Sequence, residues 1–149
     1  MPSAANMHAY SHPITPPPTT AMPRNEMLDR IGAMLQLIHL KDSAQRIAGL
    51  LSHGQKQWLE IGMVILQDPS LLLVDEPVAG MSDKETEQTG QLLTRLSEKQ
   101  AIVVIEHDMD FVRRLNSRIT VLNEGKVMAE GSLDEVKSNP DVIEAYLGR

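Results

Sequence analysis

The sequence predicts an α/β fold built on a parallel sheet. Two apolar runs of strand length, at residues 71–74 and 101–105, lie on either side of a polar, amphipathic stretch at residues 83–98. This order of strand, helix and strand is typical of parallel sheets, because two parallel neighbours need a long crossover between them. A further helix is predicted at residues 108–115.

The C-terminal part predicts a hairpin followed by short helices. Residues 119–122 and 127–129 are apolar enough for strands, and the four residues between them include Gly125, which suits a tight turn. Helices are predicted at residues 133–137 and 140–147, with Pro140 in the first turn of the second, where its missing N–H leaves no bond unmade.

The segment before the sheet predicts three helices. The first begins near Asn25 and has apolar residues at steps of three and four. The second begins at Asp42 or Ser43, ends at Ile47 and is closed by Gly49. The third is capped by Ser52 and has one apolar face; its defining residues are Gln55 at the capping-box position, Trp58, Ile61 and Ile65, with a stop at Asp68-Pro69.

The N-terminal residues 1–24 differ from the rest in composition. They hold six of the nine prolines, including Pro16-Pro17-Pro18, and no acidic residue. We interpret them as a disordered, Pro-rich tail, the alternatives being a polyproline ligand or a linker. The predicted organisation is this tail, then a domain over residues 25–149 with a helical part (25–69) and a sheet part (70–149).

Composition excludes several classes of protein. The chain has 149 residues, a net charge of −6 and no cysteine. Its basic residues are mixed with acidic ones, which argues against a nucleic-acid surface. The absence of cysteine excludes a disulfide framework, and no apolar run reaches the roughly 20 residues that span a bilayer, so no direct insertion into lipid is expected.

Asp75 and Glu76 follow the first apolar strand and form the first candidate site. Ligands of open α/β folds bind at the carboxyl ends of parallel strands. There Asp75 could hold Mg²⁺, usually through water, and Glu76 could deprotonate an attacking water in phosphoryl transfer. Taken alone, the same residues could equally be a strand exit.

A second candidate site lies at the start of the third helix, in the four residues Ser52-His53-Gly54-Gln55, here called the signature segment. Free N–H groups at a helix start, with a hydroxyl and a glycine beside them, suit a phosphate. The alternative is a well-capped helix with nothing bound.

His107 follows the second strand, and a lone histidine there is most often a turn residue. Together with Glu106, Asp108 and Asp110 it could suggest a metal site. This set lacks the spacing of zinc ligands, and no cysteine assists, so we set the metal interpretation aside.

Taken in order, the signature segment, Asp75-Glu76, the loop at residues 79–82 and Glu106-His107 resemble the second half of an ABC-transporter ATPase. The resemblance covers residues 25–149 and implies a partial P-loop NTPase fold that binds ATP and Mg²⁺. It implies that Glu76 is the catalytic base and that His107 bonds the γ-phosphate. It also implies that the signature segment contacts the nucleotide held by a second ATPase subunit.

Two residues depart from the family pattern. His53 stands where the signature usually has glycine, and Ser82 stands where the 79–82 loop commonly has aspartate.

A Walker A motif needs a Gly-Lys pair followed by Ser or Thr. The single Gly-Lys, at Gly125-Lys126, is followed by Val127, and Thr120 stands in the place of the first glycine. We therefore expect a fragment that is inactive by itself.

The absent P-loop strand has a further consequence. In the resembling fold it lies between the strands at residues 102–105 and 119–122. Without it, those two strands are expected either to stand apart or to close up on each other.

Finer features are similar to the ATP-binding subunits of urea importers, within the branched-chain amino-acid importer group. They include the run from Leu50 to Met63, Asp-Glu-Pro-Val-Ala-Gly-Met and Glu-His-Asp-Met-Asp-Phe-Val. This implies a homo- or heterodimer of ATPase subunits on transmembrane permease subunits, at the cytoplasmic face of the plasma membrane. The alternatives are a branched-chain amino-acid importer subunit, or a non-catalytic module that lends the signature in trans. A DNA-repair type of ABC ATPase is disfavoured, because its long heptad arms are missing.

Overall fold

The computed structural model describes residues 22–147 and confirms a mixed α/β fold with a parallel strand pair. In chain order, the described elements are α1 (Arg24–Leu37), 3₁₀ turns at Lys41–Ser43 and Ala48–Leu50, α2 (His53–Ile65), β1 (Leu71–Asp75), α3 (Asp83–Ser97), β2 (Ala101–Ile105), α4 (Met109–Leu115), β3 (Ile119–Asn123), β4 (Lys126–Gly131), α5 (Leu133–Ser138), and α6 (Pro140–Val142), which continues as a π-helical turn (Ile143–Leu147). The predicted Pro-rich tail at residues 1–24 lies mostly outside the described residues. No described helix is both long and apolar enough to cross a membrane.

The core lies between the helices and one face of the β1–β2 pair. Its buried side chains come from the loops and helices before the sheet, from β1 and the loop after it, and from α3 and α4: Ile38, Leu40, Leu51, Trp58, Ile61, Leu72, Val74, Val78, Leu92, Leu93, Leu96 and Phe111. It is aliphatic apart from one tryptophan and one phenylalanine, as the composition required. The predicted apolar face of α2 is confirmed, since Trp58 and Ile61 are buried and Ile65 packs against this cluster.

The strands form two separate pairs. β1 and β2 are parallel, with Leu71 opposite Ala101 and Asp75 opposite Ile105. β3 and β4 are antiparallel, and they form a second two-stranded sheet. Among residues 22–147, no strand lies between β2 and β3, and those two strands stand apart, which is one of the two outcomes expected.

Alternation along β1 and β2 leaves one face of their sheet open. Leu72 and Val74 are buried against the core, whereas the side chains that point the other way are exposed by about half or more: Leu71 (49%), Leu73 (68%), Val103 (49%) and Ile105 (61%). Successive side chains along a strand point to opposite faces of the sheet, so a sheet that is covered on one face exposes every second residue on the other.

The helix predicted from Asp42 or Ser43 to Ile47 is wrong. That segment holds the end of one 3₁₀ turn, an irregular stretch and the approach to another, and Gly49 lies inside the second turn. Short helices are stabilised chiefly by burying an apolar face. Ile47 is 73% exposed and Leu50 67% exposed, so no such face is available here.

The last helix also differs from the prediction. It is a single α-helical turn followed by a π-helical turn, where one continuous helix over residues 140–147 was expected. The Gly turn of the hairpin is confirmed, because Asn123 pairs with Lys126 and leaves Glu124 and Gly125 as a two-residue loop, both with positive φ.

Candidate functional site

Asp75 and Glu76 lie at the carboxyl end of β1, as predicted. Asp75 is the last residue of the strand, and the backbone N–H of Glu76 donates to the carbonyl oxygen of Ile105 (2.9 Å), which extends the pairing with β2 by one step. Glu76 has φ of 44°, in the left-handed region that side-chain-bearing residues seldom occupy. Strain of this kind costs about 1–3 kcal/mol and is concentrated at functional sites.

His107 and Glu76 meet across the ends of the two strands. The His107 Nδ1 lies 3.3 Å from the Glu76 Oε1, and both side chains are more than half exposed. The two residues are 31 positions apart in sequence, and the parallel register of β1 and β2 brings them together. A histidine and a carboxylate therefore face solvent side by side at the edge where ligands bind in such sheets.

Glu106 holds the backbone that carries His107. Its Oε2 accepts hydrogen bonds from the N–H groups of His107 (2.8 Å) and Asp108 (3.1 Å), and its side chain is only 2% exposed. Asp108 accepts from the N–H groups of Asp110 and Phe111 and so caps α4. These carboxylates are thus bonded to backbone, and no three His, Asp or Glu side chains within residues 22–147 are grouped to hold a metal ion.

The assignment of Asp75 to Mg²⁺ stays a prediction. Its exposed side chain is adjacent in sequence to Glu76. Mg²⁺ prefers oxygen ligands and is usually held by one or two carboxylates, substrate phosphates and water. A single exposed carboxylate at this edge fits that kind of site.

The signature segment opens α2, and its predicted capping box is confirmed. The Ser52 hydroxyl oxygen accepts from the Gln55 N–H (3.2 Å), and the Gln55 side chain accepts from the Ser52 N–H (3.1 Å). His53 is exposed, and its Cδ2 would lie 3.8 Å from a Cβ placed on Gly80, so it borders the 79–82 loop.

Ser82 begins α3 with a second capping box. The Ser82 N–H donates to the Glu85 Oε2 (3.0 Å), and the Glu85 N–H donates to the Ser82 hydroxyl oxygen (3.4 Å). The residue that departs from the family pattern is therefore used as a helix cap, and Asp83 is the first residue of the helix.

Glu85 is a residue that the sequence analysis missed. Its Oε1 accepts a hydrogen bond from the Ser52 hydroxyl (3.0 Å), so it touches the signature segment from 33 positions away. Hydrogen bonds from the Ser82 backbone, then from the Ser82 and Ser52 hydroxyls, lower the pKa of Glu85, and His53 adds to this. The Ser-x-x-Glu spacing from Ser82 could have revealed the cap. Nothing local could have revealed the contact with Ser52.

The candidate residues therefore form two groups. Asp75, Glu76 and His107 lie at the carboxyl ends of the parallel strands, and the signature segment lies at the start of α2. In the part of the chain that the structure describes, no hydrogen bond or ion pair joins the second group to Asp75, Glu76 or His107.

Comparison with known proteins identifies the family. The profile of the family described as "ABC transporter" matches residues 4–79, just over half of the chain. The chain belongs to the ABC transporter family. A second profile, described as "Branched-chain amino acid ATP-binding cassette transporter", matches residues 126–149.

Individual relatives agree with this ABC assignment. The chain is 40% identical over 127 residues to the high-affinity branched-chain amino acid transport ATP-binding protein LivG of Salmonella typhimurium, covering 84% of this chain and 50% of LivG. It is 38% identical over 125 residues to BraF of Pseudomonas aeruginosa, which has the same description, covering 83% of this chain and 49% of BraF. The chain thus spans about half the length of these relatives.

A solved structure shares the fold. The ADP conformation of MJ1267, an ATP-binding cassette of an ABC transporter, superposes with a TM-score of 0.73 at 29% identity, over 86% of this chain and 52% of that one. The ABC ATPase fold predicted from the sequence is therefore shown.

Proposed function

We propose that this chain is the part of an ABC importer ATPase that carries the hydrolytic carboxylate, the γ-phosphate histidine and the signature. The observation that carries the proposal is the meeting of His107 and Glu76, 3.3 Å apart, at the carboxyl ends of adjacent parallel strands. Phosphoryl transfer to water uses one residue that orients or deprotonates the water and others that stabilise the phosphate charge. We assign these two roles to Glu76 and His107.

Glu76 is the group that we assign to the attacking water. Its carboxylate is about half exposed, so water reaches it, and its backbone bond to Ile105 fixes where the side chain starts. His107 stands beside it on a backbone that Glu106 holds, and can bond both the phosphate and Glu76. Mg²⁺, when bound, neutralises charge on the phosphates, and Asp75 is the residue that would hold it.

The signature segment serves a second ATPase subunit in this proposal. Its Ser52 hydroxyl and helix-start N–H groups suit a phosphate. In ABC ATPases the signature contacts the nucleotide held by the opposite subunit, and we assign the phosphate of this segment in the same way. The partners are therefore another ATPase subunit, identical or not, and permease subunits, at the cytoplasmic face of the membrane.

Branched-chain amino acids are the solute that the comparisons favour. LivG and BraF are both described as high-affinity branched-chain amino acid transport ATP-binding proteins. The profile that matches residues 126–149 is also described by branched-chain amino acids. The sequence analysis placed urea first and branched-chain amino acids second. LivG and BraF support branched-chain amino acids better than urea, and neither is named for urea.

Transport by the native complex tests the proposal. A full-length subunit that carries these residues together with a P-loop, purified with its permease and reconstituted in liposomes, should take up labelled leucine, isoleucine or valine when ATP is supplied, and not labelled urea. The same complex with Glu76→Gln is the matched control, and it should take up neither solute. Uptake of urea alone would keep the ATPase assignment and overturn the solute. Unchanged ATP hydrolysis with Glu76→Gln would leave the chain as a module that acts only through its signature.

A further inference from the structure

One carboxylate joins the starts of two helices. The Glu85 Oε1 accepts from the Ser52 hydroxyl at the start of α2 (3.0 Å). Its Oε2 accepts from the N–H (3.0 Å) and the hydroxyl (2.8 Å) of Ser82 at the start of α3. Glu85 therefore occupies the position beside Ser52 from which an acceptor takes a hydrogen bond.

Gly54 makes this approach possible. A Cβ placed on Gly54 would lie 2.8 Å from the Glu85 Oε1 and 2.9 Å from its Cδ, closer than real Cβ contacts come. Any side chain at position 54 would therefore displace the carboxylate. Gly54, which has no side chain, thus leaves room for the Glu85 carboxylate.

The Ser52 hydroxyl has one proton to donate. A serine hydroxyl is one donor with two acceptor lone pairs. Here one lone pair accepts from the Gln55 N–H, and the O–H donates its hydrogen bond to Glu85. A phosphate oxygen that is to accept a hydrogen bond from Ser52 must therefore replace Glu85 as the acceptor.

We propose that Glu85 is a positioning residue that competes with the terminal phosphate of the second subunit's ATP for the Ser52 hydroxyl. The inference rests on the proposed function, because it takes that phosphate to be the ligand of Ser52. Glu85 holds the hydroxyl in place before ATP arrives, and the phosphate displaces it. The competing group is a carboxylate, which is an anion at neutral pH and so also repels the phosphate. The hydrogen bonds from Ser82 lower its pKa further.

Glu85→Gln tests the competition with little change in shape. The amide oxygen is expected to face the two donors of Ser82, which leaves the amide NH₂ facing Ser52. The NH₂ then donates to the Ser52 oxygen, and the serine proton is free for phosphate. Loss of one exposed charge contact is worth up to about 1 kcal/mol, so the KM for ATP of the native transporter should fall about two- to fivefold, with kcat little changed.

Glu135 provides the matched control. It forms the same capping box at the start of α5, where its Oε2 accepts from the N–H and the hydroxyl of Ser132, both at 2.8 Å. The described residues include no hydroxyl of another helix that donates to it. Glu135→Gln removes the same charge from the same kind of cap, and it should leave the KM unchanged. In a Ser52→Ala background, Glu85→Gln should lose its effect on the KM.

A titration that needs no ATP tests the contact itself. Carbon-13 labelling of the glutamate carboxyls lets the pKa of Glu85 be followed by NMR in the native subunit. Ser52→Ala should raise the pKa of Glu85, because one of the hydrogen bonds that lower it is lost, and should leave the pKa of Glu135 unchanged.

The two measurements fail in different ways. An unchanged Glu85 pKa in Ser52→Ala would show that the contact is absent and would overturn the inference. A raised pKa with an unchanged KM in Glu85→Gln would keep the contact and overturn the competition. A wild-type transporter that does not hydrolyse ATP would overturn the proposed function and the competition with it, whereas the titration would still report the contact.

Discussion

Glu76 combines an unfavourable backbone with an exposed carboxylate. Its φ of 44° is held by the hydrogen bond from its N–H to Ile105 and by the buried Pro77 and Val78 that follow. Neither the neighbouring strand nor a positive φ can be read from the local sequence around Asp75-Glu76. The sequence did place Glu76 at the end of the strand, because that follows from the apolar run alone.

Glu76→Gln should abolish hydrolysis while leaving nucleotide binding intact. The amide keeps the size and the backbone of the glutamate but cannot take a proton from water, and a positioned base contributes about 10²–10⁴ in rate. ATP turnover and retention of labelled ATP would be measured on a full-length subunit in which a P-loop is present. Glu135→Gln, which is the same change at a helix cap, should leave turnover intact. Equal turnover in Glu76→Gln and wild type would remove Glu76 from the role of base.

The contacts of Glu85 show why residue-scale prediction was incomplete. The capping box at Ser52 was predicted because all its members lie within four positions. The hydrogen bond from Ser52 to Glu85 joins residues 33 positions apart, and it depends on how α2 and α3 pack. Such packing is not encoded by spacing along the chain.

At the scale of elements, α2 and α3 are joined by a buried polar contact. The Trp58 indole N–H donates to the Thr89 hydroxyl oxygen (2.8 Å), and Thr89 is fully buried. The Thr89 hydroxyl in turn donates to the carbonyl oxygen of Glu85 (2.8 Å). The two groups satisfy each other inside an otherwise apolar cluster.

Thr89→Val should destabilise the fold by about 1–3 kcal/mol, because it leaves the indole N–H buried without a partner. Thermal unfolding followed by circular dichroism measures this. Thr94→Val is the control, since the Thr94 hydroxyl makes the same bond one turn back, to Gly90, but the residue is exposed. Its cost should stay within about 0.5 kcal/mol. Equal losses in the two variants would mean that the indole bond contributes nothing.

The two-residue turn of the β3–β4 hairpin has Glu124 at its first position, where glutamate is poorly suited. A two-residue loop with positive φ at both positions favours Asn-Gly, and here Glu124 has φ of 48° before Gly125 at 75°. Glu124→Asn should therefore raise the free energy of unfolding by about 0.5–1 kcal/mol. Glu124→Ala should bring no gain, and urea unfolding of both variants would show the difference. An equal gain in both would point to the lost charge instead of the turn.

Element types were predictable where a periodic pattern was long, and they failed where it was short. The strands β1 and β2 and the helices α2 and α3 were found nearly to the residue. The helix expected up to Ile47 was not, because its apolar residues face solvent and cannot stabilise a turn. Propensity alone does not decide so short a segment.

At the scale of the whole molecule, the open face of the β1–β2 sheet is the feature that we expect to control self-association of the 149-residue chain. Leu71, Leu73, Val103 and Ile105 lie together on it, and each is at least 49% exposed. Contiguous exposed apolar surface of this kind marks a contact surface or a liability to aggregate. Within residues 22–147, β1 and β2 are both edge strands of a two-stranded sheet, and edge strands add to that tendency.

The 149-residue chain by itself should therefore associate as its concentration rises, and Leu73→Glu should suppress this. The charge is placed on the open face, so the midpoint of thermal unfolding should hardly change. Leu72→Glu, one residue earlier, is the matched control, because Leu72 is 4% exposed on the core face. It should cost about 3–5 kcal/mol and unfold the chain. Light scattering over a range of concentrations, with circular dichroism on the same samples, would separate the two effects. A wild-type chain that stays monomeric at every concentration would show that this face does not drive self-association.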